Sequence, residues 1–477
     1  MKLLNLLDSI EYKTRSRLDD INFEKICINS NSDCKNSLFV CLKGTNTDGH
    51  NYVIDAKRNG AVALVVEREV DCDLPQIIVE NTHKAISLLA KRFYNNSADK
   101  IKIIGVTGTN GKTSTCHIIK SILETNNMKV GIIGTLGAYY LGKRVDCNLT
   151  TPDPCDLHRI INDMYVSGVE YIVMEVSAHA IDQFKVWGIK FEVGIFTNCT
   201  QDHLDYFINM ENYANVKKRF FTSDYIKLGV INVDDELGID IMDGESIPFV
   251  SYGLSNPSDV FAINCLSKLS GTSFALNMFD NYIEVNSKLV GLYNIYNIMA
   301  SATTCLLLGI NLDGIKLGVE KCTNIEGRFN VYKIKNFYVI IDFAHTPDGI
   351  KNVLKTTKDA CEGRLICIFG CGGNRDAQKR PIMACEAEKY SDFVIVTSDN
   401  PRYENPNNII DDIKLGFKGN NYTCEVDRKK AIELGIKKCK KNDCLVICGK
   451  GGENYQDING VKVPYSDLEE VKKFIKE

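Results

Sequence analysis

The sequence predicts an α/β protein with three consecutive domains. Apolar, strand-like runs alternate with helical patterns along most of its 477 residues, as expected of mostly parallel sheets with crossover helices. The polar segment 97–100 interrupts this alternation once, and a new series of strands begins after 326–329. The chain is also about two to three times the usual length of one domain. These observations divide it into residues 1–98, 99–330 and 331–477.

Each predicted domain has its own pattern. The first is a small α/β domain in which short apolar runs alternate with turn signals and end in a helical stretch at 83–96. The second opens with the strand at 101–105, and further strands at 171–176 and 193–198 favour a mostly parallel sheet. In the third, strands lead into loops containing Gly or Pro, which is typical of a Rossmann-like, doubly wound domain.

Composition excludes several classes of protein. Lys and Arg number 57 against 61 Asp and Glu, so charge gives no reason to expect a nucleic-acid or membrane partner. The nineteen cysteines contain no C-x-x-C pair, which predicts reduced thiols in a cytoplasmic protein. The N-terminal apolar stretch is too short for a signal peptide. The uncharged stretch 289–312 is long enough to span a bilayer, but its Asn, Ser and Thr residues favour a buried helix.

A glycine-rich segment, GVTGTNGKT at 105–113, lies between an apolar strand and a helix. Glycines let backbone N–H groups converge on phosphate oxygens, and a helix N-terminus adds partial positive charge. Lys112 can reach the β and γ phosphates, and Thr113 can bind Mg²⁺. The strict Walker spacing is not met, because Val106 stands where a glycine is required. The alternative is a strand-to-helix turn without a ligand.

This loop and ten further motifs resemble the Mur ligase family, and its MurE type in particular. The motifs follow the family's order along the chain: TTPDP (150–154), MEVSAHAIDQFKV (174–186), FTNCTQDHLDYF (196–207), YANVKKRFF (213–221), GLYNIYN (291–297), EGRF (326–329), IDFAHTPDGI (341–350), FGCGGNRDAQKRPIM (369–383), SDNPR (398–402) and GKGGENYQ (449–456). The resemblance implies a UDP-binding domain, a central ATPase domain with a phosphate loop, and a C-terminal amino-acid-binding domain.

The activity implied by the resemblance is an ATP-dependent, ADP-forming amide ligation. meso-Diaminopimelate would be added to the D-Glu of UDP-MurNAc-L-Ala-D-Glu through an acyl phosphate, in peptidoglycan precursor synthesis. Two alternatives remain: a specialised paralogue that uses L-lysine or another amine, and an ATP-binding protein without catalysis. We expect small-molecule substrates only, no nucleic-acid or membrane partner, and a cytoplasmic monomer.

The resemblance also implies roles for single residues. The expected ATP-binding residues are Gly108, Thr109, Asn110, Gly111, Lys112, Thr113, Ser114, Asn294, Arg328 and Asp342. The expected catalytic residues are Lys112, Glu175, His203 and Lys217, and the expected Mg²⁺ ligands are Thr113, Glu175, His203 and Lys217, the last as a carbamate derived from CO₂. From the residues alone, Glu175 could be a solvated strand-end carboxylate, His203 a structural hydrogen-bonding residue, and Lys217 part of a solvated helix face. The adjacent Lys218 leaves the register open, and Tyr213 favours Lys217.

The remaining implied residues bind the other two substrates. Those for UDP-MurNAc-L-Ala-D-Glu are Ser30, Thr150, Thr151, Ser177, Gln183 and Lys185, and those for diaminopimelate are Arg375, Asp399, Asn400, Arg402, Gly449 and Glu453. An arginine at 402 would pair with a distal carboxylate and repel a lysine ε-ammonium. The sequence departs from the family pattern at three places. Asn29-Ser30-Asn31 replaces D-S-R, Lys185 replaces an arginine, and Gly452 replaces a histidine.

Overall fold

The structure is a computed structural model that describes residues 1–44, 47–244 and 247–475. Its elements are numbered here along the chain. The N-terminal elements are α1 (Leu3–Leu7), β1 (Lys25–Cys27), β2 (Ser37–Val40), α2 (Val53–Arg58), β3 (Ala61–Val66), β4 (Gln76–Ile78) and α3 (Thr82–Phe93). The helix predicted at 83–96 is therefore confirmed as α3.

The middle of the chain contains the largest number of elements. They are β5 (Lys102–Thr107), α4 (Lys112–Thr125), β6 (Val130–Gly134), β7 (Gly137–Tyr140), β8 (Lys143–Val145), α5 (Pro154–Val166), β9 (Tyr171–Glu175), α6 (Ala178–Asp182), β10 (Val193–Phe196), α7 (Leu204–Phe207), α8 (Met210–Lys218), β11 (Gly229–Asn232), α9 (Glu236–Met242), β12 (Phe249–Gly253), β13 (Val260–Lys268), β14 (Gly271–Met278), β15 (Asn281–Ser287), α10 (Leu292–Leu307) and α11 (Leu312–Lys321).

The C-terminal part continues the alternation of strands and helices. Its elements are β16 (Asn330–Ile334), β17 (Phe337–Asp342), α12 (Pro347–Ala360), β18 (Leu365–Phe369), α13 (Lys379–Tyr390), β19 (Phe393–Val396), α14 (Pro406–Lys414), β20 (Tyr422–Cys424), α15 (Arg428–Lys438), β21 (Cys444–Cys448), β22 (Tyr455–Ile458), β23 (Val461–Pro464) and α16 (Asp467–Ile475).

The chain forms two compact units. The first comprises Met1–Gly105, Lys129–Val193 and Arg219–Lys227. It contains a parallel four-stranded sheet in the order β1-β2-β3-β4, with apolar cores on both faces. It also contains a parallel pair, β6 and β9, that continues through antiparallel β7 and β8. Strand β9 ends at Glu175, so this carboxylate lies at the carboxyl edge of a parallel pair.

The second unit comprises Val106–Met128, Gly194–Lys218 and Leu228–Glu477. Strands β10 to β13 pair in parallel, and β13 to β15 form antiparallel pairs. A separate sheet has the order β16-β17-β21-β18-β19-β20 and is parallel except at the edge strand β16. The loops after the parallel strands β17, β18, β19 and β21 therefore meet at one edge, where doubly wound sheets bind their ligands. The predicted α/β class is confirmed.

Helix α10 is the buried helix predicted within the stretch 289–312. The hydroxyl groups of Ser301, Thr303 and Thr304 each donate to the carbonyl oxygen four residues earlier, at 2.7–2.8 Å. These bonds satisfy polar groups that would otherwise be costly to bury. Among the described residues, no helix combines the length and apolar character needed to cross a bilayer.

Candidate active site

The loop between β5 and α4 folds around the Lys112 side chain. Gly108 and Gly111 have φ angles of 150° and 87°, a region that L side chains rarely adopt. The Lys112 ammonium donates to the carbonyl oxygens of Gly108 at 2.7 Å and Thr109 at 2.8 Å. Since α4 begins at Lys112, the positive end of its dipole lies at the same loop. The loop thus combines the features of a phosphate site.

The segment after β10 holds this loop in place. The side-chain oxygen of Asn198 accepts the Asn110 N–H at 2.8 Å, and its carbonyl oxygen accepts the Thr109 N–H at 2.9 Å. The Thr197 hydroxyl donates to the Asn110 carbonyl oxygen at 2.7 Å. Neither Thr197 nor Asn198 is among the residues that the sequence singles out. Asn198 is 88 positions away from Asn110 in the chain. Only the folded chain therefore shows that Thr197 and Asn198 set the conformation of the loop.

Thr113 and Arg328 meet although 215 positions separate them in the chain. The guanidinium of Arg328 donates to the Thr113 hydroxyl oxygen at 2.8 Å and lies over the Phe343 ring, 4.4 Å from its centroid. Thr113 is buried. The predicted phosphate-loop hydroxyl and the predicted phosphate-binding arginine therefore belong to one site. Ser114 follows Thr113 in the first turn of α4 and is also buried.

The two buried asparagines of α10 form a chain of hydrogen bonds that reaches the helix after the phosphate loop. Asn294 Nδ2 donates to the Val290 carbonyl oxygen at 2.8 Å, and Asn297 Nδ2 donates to Asn294 Oδ1 at 3.1 Å. Asn297 Oδ1 in turn accepts from the Thr115 hydroxyl at 3.4 Å. The amides are thus satisfied, as burial requires, and Asn294 is fixed in the first turn of α10.

Asp202 lies at the centre of a charged cluster. Its carboxylate is within 2.9 Å of Lys379 Nζ, 3.4 Å of His203 Nε2 and 3.6 Å of His345 Nε2. Burial by itself raises the pKa of Asp202, but the interactions with His345, Lys379 and His203 outweigh it and hold the pKa well below the ordinary value. Both members of the ion pair, Asp202 and Lys379, are buried. The sequence singles out His203 but neither member of this pair.

Lys217 is buried at the end of α8. Its Nζ lies over the ring of Tyr213, 3.7 Å from the centroid, and its exposed fraction is 1 %. Burial lowers the pKa of Lys217 to about 7, and the charges of Asp202 and Asp235 oppose this shift without reversing it. Lys218 is half-buried. The structure therefore contradicts the reading of Lys217 as part of a solvated helix face.

Asp342 is the last residue of strand β17, and its carboxylate accepts hydrogen bonds from the backbone before and after this strand. One carboxylate oxygen accepts the Phe329 N–H and the other accepts the Ala344 N–H, both at 2.7 Å. Burial raises the pKa of Asp342, and the Arg328 guanidinium works against that shift. The predicted ribose-binding carboxylate thus stands beside the predicted phosphate-binding arginine.

In the first unit, Glu175 is buried and receives two hydrogen bonds from Thr135. The Thr135 N–H donates to Glu175 Oε1 at 2.9 Å and the hydroxyl to Oε2 at 3.1 Å. The Thr151 hydroxyl donates to the Glu175 carbonyl oxygen at 2.8 Å and accepts the Ser177 N–H at 3.0 Å. The Thr150 hydroxyl lies 3.1 Å from that of Thr135. Glu175, Thr150, Thr151 and Ser177 therefore form one connected group.

The other residues predicted to bind the nucleotide sugar also lie in the first unit. Ser30 is buried, and its carbonyl oxygen accepts from Asn59 Nδ2 at 2.6 Å. Lys185 pairs with Asp153 at 2.8 Å. Gln183 is half-buried and follows the last residue of α6.

The predicted amino-acid pocket forms where the loops after β19 and β21 meet. Asn400 Nδ2 donates to Glu453 Oε2 at 3.0 Å. Lys450, which the sequence does not single out, donates to Asn400 Oδ1 and Glu453 Oε2, both at 2.9 Å, and lies 3.6 Å from Asp399. Gly449 has a φ of 114°, and a Cβ there would collide with the Asp399 carboxylate. Four of the six predicted residues therefore cluster around one buried lysine.

Arg402 and Arg375 stand at the side of this pocket. Arg402 Nη1 donates to the Gly373 carbonyl oxygen at 2.8 Å, and its Nε lies 3.9 Å from a carboxylate oxygen of Asp457. The other Asp457 oxygen is buried without a hydrogen-bond partner. Burial lowers the pKa of Arg375 and the nearby Arg402 lowers it further, so two guanidinium groups share one region. Such a pair favours an anionic ligand.

The chain is similar to known proteins along most of its length. Profiles of the Mur ligase family match it in three successive stretches: the family's catalytic domain at residues 22–94, the middle domain at 106–305 and the glutamate ligase domain at 327–451. The chain belongs to the Mur ligase family. Within the described residues of this Mur ligase, no group of three or more His, Cys, Asp or Glu side chains is placed to hold a metal ion.

Relatives match this Mur ligase along almost its whole length. A protein of Aquifex aeolicus named UDP-N-acetylmuramoyl-L-alanyl-D-glutamate–2,6-diaminopimelate ligase is 42 % identical over 94 % of this chain and 93 % of its own. Proteins of the same name from Bacillus cereus and Clostridioides difficile are 41 % and 40 % identical, covering 92 % and 98 % of this chain and 90 % and 98 % of their own.

Solved structures share the fold. A structure titled as a UDP-N-acetylmuramoyl-L-alanyl-D-glutamate–2,6-diaminopimelate ligase is 29 % identical, has a TM-score of 0.68 and covers 97 % of both chains. The MurF ligase of Thermotoga maritima in complex with ADP is 20 % identical, with a TM-score of 0.64 and coverage of 96 % and 98 %. At that identity the second likeness concerns the fold alone.

Proposed function

We propose that this Mur ligase joins meso-diaminopimelate to the D-Glu of UDP-MurNAc-L-Ala-D-Glu, with ATP converted to ADP and phosphate. The observation that carries the proposal is the similarity, at about 40 % identity over almost the full length, to relatives named for this ligation. The geometry agrees with it, since the second unit holds both a phosphate loop and a pocket with two arginines for an anionic group.

The reaction divides into two displacements. An oxygen of the glutamate carboxylate attacks the γ-phosphorus of ATP, ADP leaves, and an acyl phosphate results. The amine of diaminopimelate then attacks the acyl carbon, phosphate leaves, and the nitrogen loses a proton. Lys112 and Arg328 would exchange their present oxygen partners for phosphate oxygens, which neutralises charge that grows in the transition state.

The remaining predicted ATP residues would bind the nucleotide together with these two cations. Gly108 and Gly111 would present backbone N–H groups to the phosphates. The Thr109 and Asn110 N–H groups already donate to Asn198, so these two residues would keep the loop in its binding conformation. Asn294 would lie near the adenine, and Asp342 would accept from the ribose. Asp342 would then link the nucleotide to the segment that carries Arg328, because its carboxylate already holds the Phe329 N–H.

The chemistry of the donors fits Mg²⁺. In the second unit, Thr113 offers a buried hydroxyl oxygen, and Mg²⁺ binds oxygen donors while retaining waters and phosphate oxygens, so few protein ligands suffice. Glu175, in the first unit, offers a buried carboxylate, and its role as a Mg²⁺ ligand stays a prediction. When bound, Mg²⁺ neutralises phosphate charge. His203 and carbamylated Lys217, both in the second unit, would hold a second ion.

Lys217 is suited to forming a carbamate. An amine attacks CO₂ only in its neutral form, and burial lowers the pKa of Lys217 to about 7, so much of it is neutral near that pH. The product is an anion where an ammonium would otherwise be buried, which supplies a negative oxygen ligand.

The first unit would bind the nucleotide sugar through Ser30, Thr150, Thr151, Ser177, Gln183 and Lys185. Lys185 would act on the diphosphate as a point charge, without the bidentate contact of an arginine. We further propose the domain boundaries 1–98, 99–330 and 331–477 and a cytoplasmic monomer. All nineteen cysteines are free thiols, in agreement with a reducing compartment.

In the amino-acid pocket, Arg402 would bind the distal carboxylate of diaminopimelate, with Arg375 beside it. Asn400 and Glu453 would receive the distal amine, and Asp399 and Gly449 would shape the loop that holds them. L-Lysine has no distal carboxylate, so the arginines would have no partner on it. This difference favours diaminopimelate over the lysine alternative.

The test is phosphate release from ATP, Mg²⁺ and UDP-MurNAc-L-Ala-D-Glu, with meso-diaminopimelate, L-lysine or no amine in parallel wells. Release that requires diaminopimelate supports the proposal, and mass spectrometry should find the extended nucleotide. Release in the L-lysine well but not in the diaminopimelate well would mean that the protein adds L-lysine in place of diaminopimelate. ATP binding without release in any well would favour the non-catalytic alternative.

A further inference from the structure

Lys450 is a buried lysine at the junction of two loops. It is 0 % exposed, and its Nζ contacts the side-chain oxygens of Asn400 and Glu453 at 2.9 Å and of Asp399 at 3.6 Å. Asp399 and Asn400 come from the loop after β19, whereas Lys450 and Glu453 come from the loop after β21. One ammonium therefore ties together the two loops that carry most of the predicted amino-acid pocket.

We infer that Lys450 is a positioning residue that sets the preference of this pocket for an amino acid with a distal carboxylate over one with a distal ammonium alone. The inference rests on the proposed function and deepens it. Lys450 touches protein oxygens in this structure, so it would act through Asn400 and Glu453.

Lys450 acts first through its charge. Two carboxylates, Asp399 and Glu453, face the pocket, and without a cation between them they would attract any ammonium. Burial raises the pKa of Asp399, but the charges of Lys450 and Arg428 outweigh it and keep the pKa below the ordinary value. Lys450, Arg402 and Arg375 supply three positive charges, which balance the three carboxylates Asp399, Glu453 and Asp457, so the region carries no net negative charge.

The two candidate amino acids differ in how they meet that charge. The distal end of meso-diaminopimelate carries a carboxylate and an ammonium and is neutral as a whole. The distal end of L-lysine carries an ammonium only. A pocket whose charges balance does not attract the second, whereas loss of Lys450 would leave one negative charge in excess, and its attraction for an ammonium is strong where water is excluded. Removing the Lys450 charge should therefore weaken the discrimination.

The fixed geometry adds a second contribution. Asn400 Oδ1 also accepts the Asp457 N–H at 2.9 Å, and Asn400 Nδ2 donates to Glu453. Lys450 thus holds Asn400 in one amide orientation and leaves one Glu453 oxygen to receive a substrate amine. Loss of Lys450 would let both side chains turn, at a cost to the binding of diaminopimelate.

The experiment is a competition between the two amino acids. The full chain is supplied with ATP, Mg²⁺, UDP-MurNAc-L-Ala-D-Glu and a mixture of meso-diaminopimelate and excess L-lysine, and the two products are quantified by mass spectrometry. Their ratio, corrected for concentration, gives the ratio of kcat/KM values. The variants are Lys450→Met, Lys450→Gln and Lys450→Arg. Lys462→Met is the matched control, since Lys462 lies over the same Tyr455 ring but is exposed.

In the Met and Gln variants we expect the ratio to fall by about 10- to 100-fold, the range for losing one charge-assisted hydrogen bond. The KM for diaminopimelate should rise while the KM for ATP stays within about twofold. Lys450→Arg, which keeps the charge, should retain most of the preference, and Lys462→Met should match the wild type. Lys450→Gln replaces the charge by a hydrogen-bonding amide and carries the test if the Met variant does not fold.

An unchanged ratio in active Met and Gln variants would overturn the inference. A residue that only supports the loops would lower the rates with diaminopimelate and with L-lysine by the same factor. A wild-type protein that makes neither product would instead overturn the proposed function. The two failures are therefore distinguishable.

Discussion

Replacing Lys217 by methionine should stabilise the protein while abolishing ligation. The side chain is fully buried, and burial lowers its pKa to about 7, against about 10.4 for an exposed lysine in the unfolded chain. The folded state therefore binds fewer protons than the unfolded state between these values. The contribution of Lys217 to the free energy of unfolding therefore falls as the pH decreases from about 10.4 to about 7. Below about pH 7 this contribution is constant.

The size of the effect follows from the pKa difference. The difference between about 7 and about 10.4, at roughly 1.36 kcal/mol per pH unit, gives a cost of about 4 kcal/mol at pH 7. Methionine has a similar length and no charge, so Lys217→Met should recover much of this cost. pH 9.5 lies only about one pH unit below the pKa of the unfolded lysine. The stability gained by Lys217→Met should therefore shrink to roughly 1 kcal/mol at that pH.

The assay is thermal unfolding at pH 7 and pH 9.5 in buffers purged of CO₂. Lys218→Met is the matched control, because Lys218 is the neighbouring lysine and is less deeply buried. Adding bicarbonate should stabilise the wild type and leave Lys217→Met unchanged, since only Lys217 can form the proposed carbamate. A Lys217→Met protein that is less stable than the wild type at pH 7, or a difference that does not shrink at pH 9.5, would refute this reasoning.

Three further predictions concern single side chains. Lys112→Ala should reduce phosphate release by about 100-fold or more, the scale for losing one group that stabilises transition-state charge, whereas Lys120→Ala on the same helix should leave it unchanged in the same assay. Arg402→Ala should raise the KM for diaminopimelate by about 10- to 100-fold, because a charge-assisted bidentate contact is lost; a normal KM in steady-state kinetics would show that Arg402 does not bind this substrate. Lys379→Met should lower the free energy of unfolding by about 3–5 kcal/mol, because its buried carboxylate partner loses its ion pair. Chemical denaturation measures this, and Lys389→Met, on the exposed face of the same helix, should change it little.

Part of the site could be predicted because its residues are close together in the chain. The phosphate loop occupies a few consecutive positions, and its glycines, lysine and hydroxyls act through local backbone geometry. Helix α10 was predicted from a single uncharged stretch, and the structure confirms it. The grouping of Asp399, Asn400 and Glu453 was expected from two short motifs that resemble one family.

Other parts depend on contacts between distant residues. Asp202 and Lys379 are 177 positions apart, and neither stands out from neighbouring charged residues in the sequence. Lys450 lies inside a predicted motif, but only its burial and its oxygen partners distinguish it from a solvated lysine. Lys217 shows the same limit, since a K-K-R run is ordinary on an exposed helix face.

The sequence by itself determined the α/β class, the phosphate loop and the order of the family's motifs, because strand and helix periodicity and loop chemistry depend on neighbouring residues. Only the tertiary structure decided which charges are buried and which atoms face them. Burial sets the pKa of Lys217, and convergence of two loops gives Lys450 its partners. Both effects arise from packing of the whole chain, which brings together groups whose positions in the sequence are unrelated.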